Sequence, residues 1–550
     1  MNQNWTFSEI SVCAIITVGL VTFFASNSKK APSGHENDEG LHDSATTSFS
    51  SNTLQAASSR IGQPHPFTSK SEYKGCIYMD YNATTPIFPE VTNAMIPFIT
   101  NCFGNPSSSH VFSAPCRSAL QNARMNLGYL INARSSPTEI CFTSCGTESD
   151  NRAVDIALFH FLQLKKKFSG DVDEATRIQP HIITCKTEHP AVICYLRVLV
   201  QEQRIRMTVL PVNSEGFVDV TDLKRALTPN TALVTIMHSN NEVGTIQPIR
   251  EIAQCIKAFN AQRSKDGACV LFHSDAAQSL GKVLVDVQSL NVDMLTIVGH
   301  KFGAPKGVAA LYIRSGVETC PMLVGGGQER GLRSGTENVA LAVGMGAACE
   351  LALQESGALL LHLLTLKLRL ISALSEGFAN KKHMIKFNGP ARANNPVHLS
   401  SDLKIIRVMI KSGFTHSERS GKAGDQSNSN NHNNHNSNIV VSHPPGVTSA
   451  MSVDVLQQLP NTVSVSFKGI RSYEIIEALS DKVACSAGSA CHAVHISPDN
   501  KSASVENEKS AASPEIKMSD VLLAMGVPEE FGFGTLRLSF GRHTTESDID

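Results

Sequence analysis

Between Cys76 and about residue 340 the chain repeats one pattern: a short β-branched or fully apolar run, then a longer stretch of helix length. The runs are ICFTS (140–144), HIITC (181–185), MTVLPV (207–212), ALVTIM (232–237), VLFHS (270–274), MLTIV (294–298) and AALYI (309–313). The segment IREIAQCIKAFNAQ (249–262) is typical of what separates them. Unbroken apolar runs predict strands buried on both faces, and helix-length spacers supply the crossovers that parallel strands need. The pattern therefore predicts an α/β fold whose large domain, 76–340, holds a mainly parallel sheet covered on both sides. After residue 340 come two longer helical segments, NVALAVGMGAACELAL (338–353) and LLTLKLRLISALSEGF (363–378), and then isolated strands VSVSF (463–467) and LRLSF (536–540). They predict a smaller α+β domain over 341–550.

Upstream of Cys76 the texture differs. Ile10 to Ala25, ISVCAIITVGLVTFFA, is apolar and uncharged, so residues 1–30 read as a hydrophobic segment and a candidate membrane anchor. The run falls short of the roughly 20 residues that span a bilayer comfortably. A cleaved signal peptide is the competing reading, but no Lys or Arg precedes the run. Lys29 and Lys30 follow it, and an anchor so flanked leaves the rest of the chain in the cytoplasm. The absence of Lys and Arg from the first 28 residues argues against a mitochondrial presequence. Residues 31–75, rich in Ser, Thr, Gly and Asn, predict a disordered linker. Two polar insertions interrupt the second domain, an Asn/Ser/His-rich tract at 416–438 and a loop at 497–516. The irregular spacing of the histidines makes a surface insertion the better reading than a metal site.

At 550 residues and a net charge of -1, the chain has length for two domains and no electrostatic pull toward nucleic acid. The 14 cysteines are scattered through apolar runs, which points to reduced, core-packed thiols in a reducing compartment. This raises the interest of CSAGSACHAVH (485–495), with Cys485, Cys491, His492 and His495 together. A zinc site there lacks finger or ribbon spacing, and a redox pair lacks the two-residue gap of such motifs. A single working thiol beside a core cysteine is the third reading.

Candidate chemistry gathers where the strand runs end. TIVGHKFGAPKG (296–307) carries His300 and Lys301 out of an apolar run, and a buried lysine must be paired, deprotonated or covalently used. HSDAAQS (273–279) places Asp275, Gln278 and Ser279 in the same way, and a buried carboxylate suits a cationic ring nitrogen. FTSCGTESDN (142–151) leads from a strand into a helix through Gly146, Thr147 and Glu148, where a phosphate could rest on the helix N-terminus. KTEHPAV supplies His189, and HSNNEVG supplies Asn240 and Asn241. Each motif is weak alone; their order is the strong signal.

With YMDYNATTP (78–86), GNPSS (104–108), NNEVGTIQP, HSDAAQSLGK, GGGQERGLRSGTEN (325–338), GSACH and LRLSFGRHTTESDID, the chain resembles the cysteine desulfurases and selenocysteine lyases. These are class V aminotransferase-like enzymes of fold type I that use pyridoxal 5′-phosphate. The resemblance implies that Lys301 holds the cofactor covalently and moves protons at the substrate carbons, while His189 stacks on its ring and assists. Asp275 would pair with the ring nitrogen, and Asn241 and Gln278 would contact the ring oxygen side. Gly146, Thr147 and His300 would hold the phosphate, with Thr336 reaching it from the second subunit of a homodimer. Arg537 would clamp the substrate carboxylate and Asn82 would bind substrate. Cys491 would attack the substrate sulfur or selenium as a thiolate and pass it to an acceptor protein. No metal is implied.

Val298 before GHK, where many desulfurases carry serine, and His492 directly after Cys491 resemble the selenocysteine lyases. The expected reaction is therefore conversion of L-selenocysteine to L-alanine with release of selenium. Cysteine desulfurase is the alternative, and a non-catalytic scaffold for iron-sulfur assembly or an aminotransferase are the readings of other classes. Gly303 and Ala304 stand where relatives carry an aromatic then Gly, which predicts a looser turn after Lys301. The resemblance also implies a closing helix beyond ESDID.

Overall fold

The structure is a computed structural model that describes residues 59–65, 75–169, 178–263, 268–413, 456–487 and 517–550. The apolar run 10–25, both polar insertions, Cys491, His492, His495 and most of the expected linker lie outside the described residues.

In chain order the strands are β1 (Ile77–Tyr78), β2 (Ile140–Thr143), β3 (His181–Cys185), β4 (Arg206–Leu210), β5 (Thr231–Thr235) and β6 (Leu271–Asp275). They continue with β7 (Met294–Val298), β8 (Ala309–Ile313), β9 (Ile385–Asn388), β10 (Thr462–Phe467), β11 (Val483–Ala484) and β12 (Thr535–Ser539). The large sheet runs β2-β8-β7-β6-β5-β3-β4. Its β7-β6-β5-β3-β4 portion is parallel, while β8 runs antiparallel to both β7 and β2. Because β8 reverses direction between them, β2 points the same way as the parallel strands and ends at the same edge.

The fully apolar runs are explained by the two faces they fill. Ile183, Val234, Phe272 and Leu295 feed one core, while their neighbours Ile182, Leu233, Leu271 and Met294 feed a second on the opposite face. Successive strand residues point to opposite sides, so burial of both faces demands apolar residues at consecutive positions.

The second domain is built on the antiparallel sheet β12-β10-β9. Where the sequence suggests two helices, one helix of 39 residues, Val339–Gly377, runs unbroken. Its first turns pack Ala342, Met345 and Cys349 into the large-domain core, and its later turns pack Leu359, Leu363 and Leu370 against β10 and β12 residues. The boundary expected at residue 340 thus falls inside a rigid rod that belongs to both domains. That continuity also accounts for its apolar composition, which by length alone would suffice to cross a membrane.

Residues 59–65 correct the expectation of a disordered linker up to 75. Ile61 is buried in the second core, Gly62 N–H donates to Arg542 O (2.8 Å), and His543 Nδ1 lies 2.9 Å from Gln63 O. One apolar side chain and the backbone partners beside it suffice to fix this strap. The turn after Lys301 is likewise not loose. Gly303 has φ +91°, and a Cβ there would sit 2.2 Å from the Phe88 ring. Its N–H donates to Thr85 Oγ1 (2.8 Å) and its carbonyl accepts from Phe88 N–H (3.1 Å), so glycine permits the close approach.

Arg542 joins strap, helix and large domain. It pairs with Glu355 and with Glu90 through two hydrogen bonds each, and lies over the Phe88 ring at 4.7 Å. The Glu355 side chain is only 2% exposed. Arg542→Met therefore leaves a buried carboxylate short of its main partner, and should lower unfolding free energy by about 3–5 kcal/mol. Urea denaturation checks this, and a loss below about 1 kcal/mol would show the cluster to be solvated like a surface pair.

Candidate active site

The sequence motifs meet at one edge of the large sheet, where β2, β3, β5, β6 and β7 all end. Gly146 and Thr147 follow β2, His189 follows β3, Asn240 and Asn241 follow β5, Asp275 closes β6, and His300 and Lys301 follow β7. An open α/β sheet binds its ligands at this edge.

Lys301 Nζ donates to the carbonyls of Asn82 (2.7 Å) and Ala83 (2.9 Å). The Asn82 carbonyl also accepts from Gln278 Nε2 (3.0 Å), whose Oε1 accepts from the buried Lys282 (3.2 Å). Gln278 is therefore held by Asn82 and Lys282. The sequence reading did not single out Lys282; the GK that closes HSDAAQSLGK is its only trace.

Behind Lys301 stands a group of buried carboxyls. Burial pushes the Asp275 carboxyl up, and the charges of His189 and Lys301 draw it partly back. Its Oδ1 accepts from Ala277 N–H (2.8 Å). Glu188, also buried, is pushed up to about 8 by burial, and its Oε1 accepts from Met237 N–H (2.7 Å) while Oε2 has no partner. Asp150 is raised well above the carboxylate range by burial and by the nearby Asp275. Its Oδ1 approaches His273 Nε2 at 3.8 Å. Burial drops His273 to about 3, so that ring is neutral and the contact is no ion pair. Neutral acids around Asp275 leave it as the one carboxylate of the group that a cation would draw into its charged form. His189 is pulled down by burial and accepts from Ala191 N–H (3.2 Å), capping the helix Pro190–Gln201 with a neutral ring suited to stacking.

The phosphate turn opens the helix Gly146–Ser169. A Cβ on Gly146 would come within 2.7 Å of Val298 Cγ2, so Val298, directly before GHK, packs on the turn. Glu148 folds back to accept from Ser144 N–H (2.7 Å) and receives Arg333 Nε (2.9 Å), which ties the glycine-rich segment to the turn. His300 Nδ1 lies 3.1 Å from Thr84 Oγ1, and burial with the neighbouring lysines lowers it to about 4. Thr336 is exposed on the loop before the long helix.

Arg537, 1% exposed on β12, donates to Asp80 Oδ1 (2.6 Å) and to Asn241 O (3.1 Å), while its Nε has no partner. Asn82, expected to bind substrate, lies buried at the domain junction. Its Nδ2 donates to Asn241 O (3.2 Å) and Thr462 Oγ1 (2.9 Å), and its Oδ1 accepts from Asn461 (3.1 Å). The side chain is thus a buried clasp between domains. Cys485 is half-buried against the second core, and burial pushes it up to about 11, which suits a resting thiol. Among the described residues no cluster of three or more His, Cys, Asp or Glu could hold a metal.

These residues fit pyridoxal phosphate. An amine on neutral carbonyls, a buried carboxyl lacking a full positive partner, a neutral imidazole and a helix N-terminus stand at one edge. Residues 77–396 match the family described as aminotransferase class-V. The chain is 35% identical over 478 residues to a cysteine desulfurase of Nostoc sp., covering 86% of this chain and 90% of the relative. It is 34% identical over 507 residues to the human selenocysteine lyase, covering 89% and 95%. A solved NifS-like protein superposes with a TM-score of 0.62 at 28% identity, covering 86% of this chain and 96% of that one. The chain belongs to the class V aminotransferase family, among its pyridoxal-phosphate-dependent lyases of carbon–sulfur and carbon–selenium bonds.

Proposed function

We propose that the protein acts on L-cysteine, splitting its Cβ–S bond to leave L-alanine and handing the sulfur through Cys491 to an acceptor protein. The observation that carries this reading is the joining of Lys301 to Arg537. Lys301 rests on the Asn82 carbonyl, Asn82 Nδ2 reaches the Asn241 carbonyl, and that same carbonyl receives Arg537. A proton-moving amine and a carboxylate clamp are so joined through one chain of buried hydrogen bonds.

When bound, pyridoxal 5′-phosphate supplies an electron sink for the bonds that break at the substrate carbons. Arg537 binds the substrate carboxylate with its fork, exchanging the Asp80 contact for the ligand. Lys301 takes the proton from Cα as a neutral amine and returns one to Cβ. Asp275 holds positive charge on the ring nitrogen, and His189 covers the ring. The Cys491 thiolate attacks the substrate sulfur, so that an S–S bond forms as the Cβ–S bond breaks, and the electron pair left on the carbon side takes up a proton to complete the methyl group of alanine. Cys491 follows Ser486 by five positions, and five extended residues span about 17 Å. Ser486 itself pairs with the Arg537 backbone (2.7 Å), so the segment leading to Cys491 starts beside the site.

The second reading is L-selenocysteine as substrate. It is supported by the greater length over which the human selenocysteine lyase aligns and by Val298 on the phosphate turn. A selenol is ionised at neutral pH and a cysteine thiol is mostly not, so a site that does little to deprotonate its substrate favours selenium. A homodimer that brings Thr336 to the partner's phosphate, and a cytoplasmic enzyme tethered through residues 10–25, belong to the same proposal.

Lys301→Ala should abolish the borohydride-reducible visible absorbance and lower alanine formation by at least about 10³-fold. A retained reducible link would remove Lys301 from its role. Cys491→Ala should stop sulfide release from cysteine, and full activity would remove the acceptor thiol. In one preparation, kcat/KM for cysteine should lie within about 100-fold of that for selenocysteine; a larger preference for selenium would replace desulfurase by lyase.

A further inference from the structure

Lys282 is a buried amine close to the catalytic one and without a carboxylate partner. It follows β6 by a single turn and is 9% exposed. Its Nζ donates to Gln278 O (3.0 Å) and Gln278 Oε1 (3.2 Å), both neutral. Gln278 Nε2 and Lys301 Nζ then share the Asn82 carbonyl, at 3.0 and 2.7 Å. A carbonyl oxygen has two lone pairs, so this sharing fills it and fixes the direction of both donors. Lys282 and Lys301 also line one cavity walled by Tyr81, Phe88, Phe302 and Phe540. The acid among its lining residues, Glu355, is already held by Arg542.

The charges that face Lys282 are of its own sign. Burial comes first, then Lys301 and Arg537, and together they bring it down to about 7. His300 in turn is lowered by Lys301, Lys306 and Lys282. Two amines in one low-dielectric site disfavour carrying two protons at once. Lys301 must be uncharged to accept a proton from substrate.

We propose that Lys282 is a positioning residue of the reaction: a second amine that holds Lys301 in line through Gln278 and Asn82 and keeps it uncharged whenever it is free. The inference rests on the functional reading above. The competing role is a clamp on the 275–282 turn, in which the charge of Lys282 has no consequence for Lys301.

Lys282→Met in the holoenzyme separates the two. The midpoint of the pH-dependent visible absorbance change should rise by about one unit. The acid limb of the kcat profile should move with it, so that kcat falls about tenfold at pH 7 and recovers at pH 9, while KM changes less than about threefold. Should Lys282→Met fail to fold, Lys282→Gln, which keeps a donor toward Gln278, carries the same readouts. Unmoved absorbance and kcat midpoints with a changed Tm overturn the inference in favour of the clamp. A wild type that gives no visible band with pyridoxal phosphate and forms no alanine overturns the functional reading, and this one with it.

Discussion

The structure turns on Asn82. Its carbonyl accepts from Lys301 and Gln278 of the large domain, its amide N–H donates to Ser539 Oγ on β12 (2.9 Å), and its side chain bridges Asn241, Thr462 and Asn461. A residue that is 1% exposed and fully engaged in this way cannot shift without leaving buried polar groups unpaired on both sides. The placement of Lys301 relative to Arg537 is therefore set by one buried node at the domain junction. The long helix Val339–Gly377 holds the two cores in register around it.

Around that node the charges are deliberately incomplete. Lys282 has only neutral acceptors, Glu188 and Asp150 each retain an unpartnered oxygen, and Arg537 keeps an unpartnered Nε. Each is costly to bury. Part of that cost falls at the strand ends, where the phosphate and the ring nitrogen of pyridoxal phosphate would offer partners. Elsewhere Arg124 meets Glu329 through two hydrogen bonds, while the buried Lys367 donates only to the neutral Gln458 Oε1 and Leu459 carbonyl.

Much of this was legible in the sequence because parallel strands write their ends plainly. Each apolar run stops at a polar, chemistry-bearing residue, and topology sends all those ends to one edge, so Asp275, His189, Gly146, Thr147 and Lys301 could be named without coordinates. What escaped reading depends on contacts between distant positions. Asn82 and Thr462 are 380 positions apart, and nothing local separates a structural asparagine from a ligand. Lys282 looks like any lysine after a turn until its burial is known. The strap at 59–65 resembled its polar surroundings because Ile61 is its one residue in the second core and its other contacts are backbone and polar ones to distant segments. Gly303 looked like a loosened turn because the ring it accommodates, Phe88, belongs to another segment.

The same contacts limit how the site can move. Opening the domains like a hinge would break the Asn82 bridges, the Arg537 bond to Asn241 and the Gln458 bond to the Val243 carbonyl (2.6 Å), all of them at buried or half-buried groups. Several lost bonds of about 1–3 kcal/mol each would approach the whole stability of a domain. Substrate access must then come from shorter-range change on the side of the site that these bonds do not hold. Ser486 marks that side: its backbone is tied to Arg537, and the chain toward Cys491 departs from it. The division of labour is physical. The junction holds Lys301, Asn82 and Arg537 in one buried network, and the chain beyond Ser486 leaves from beside it.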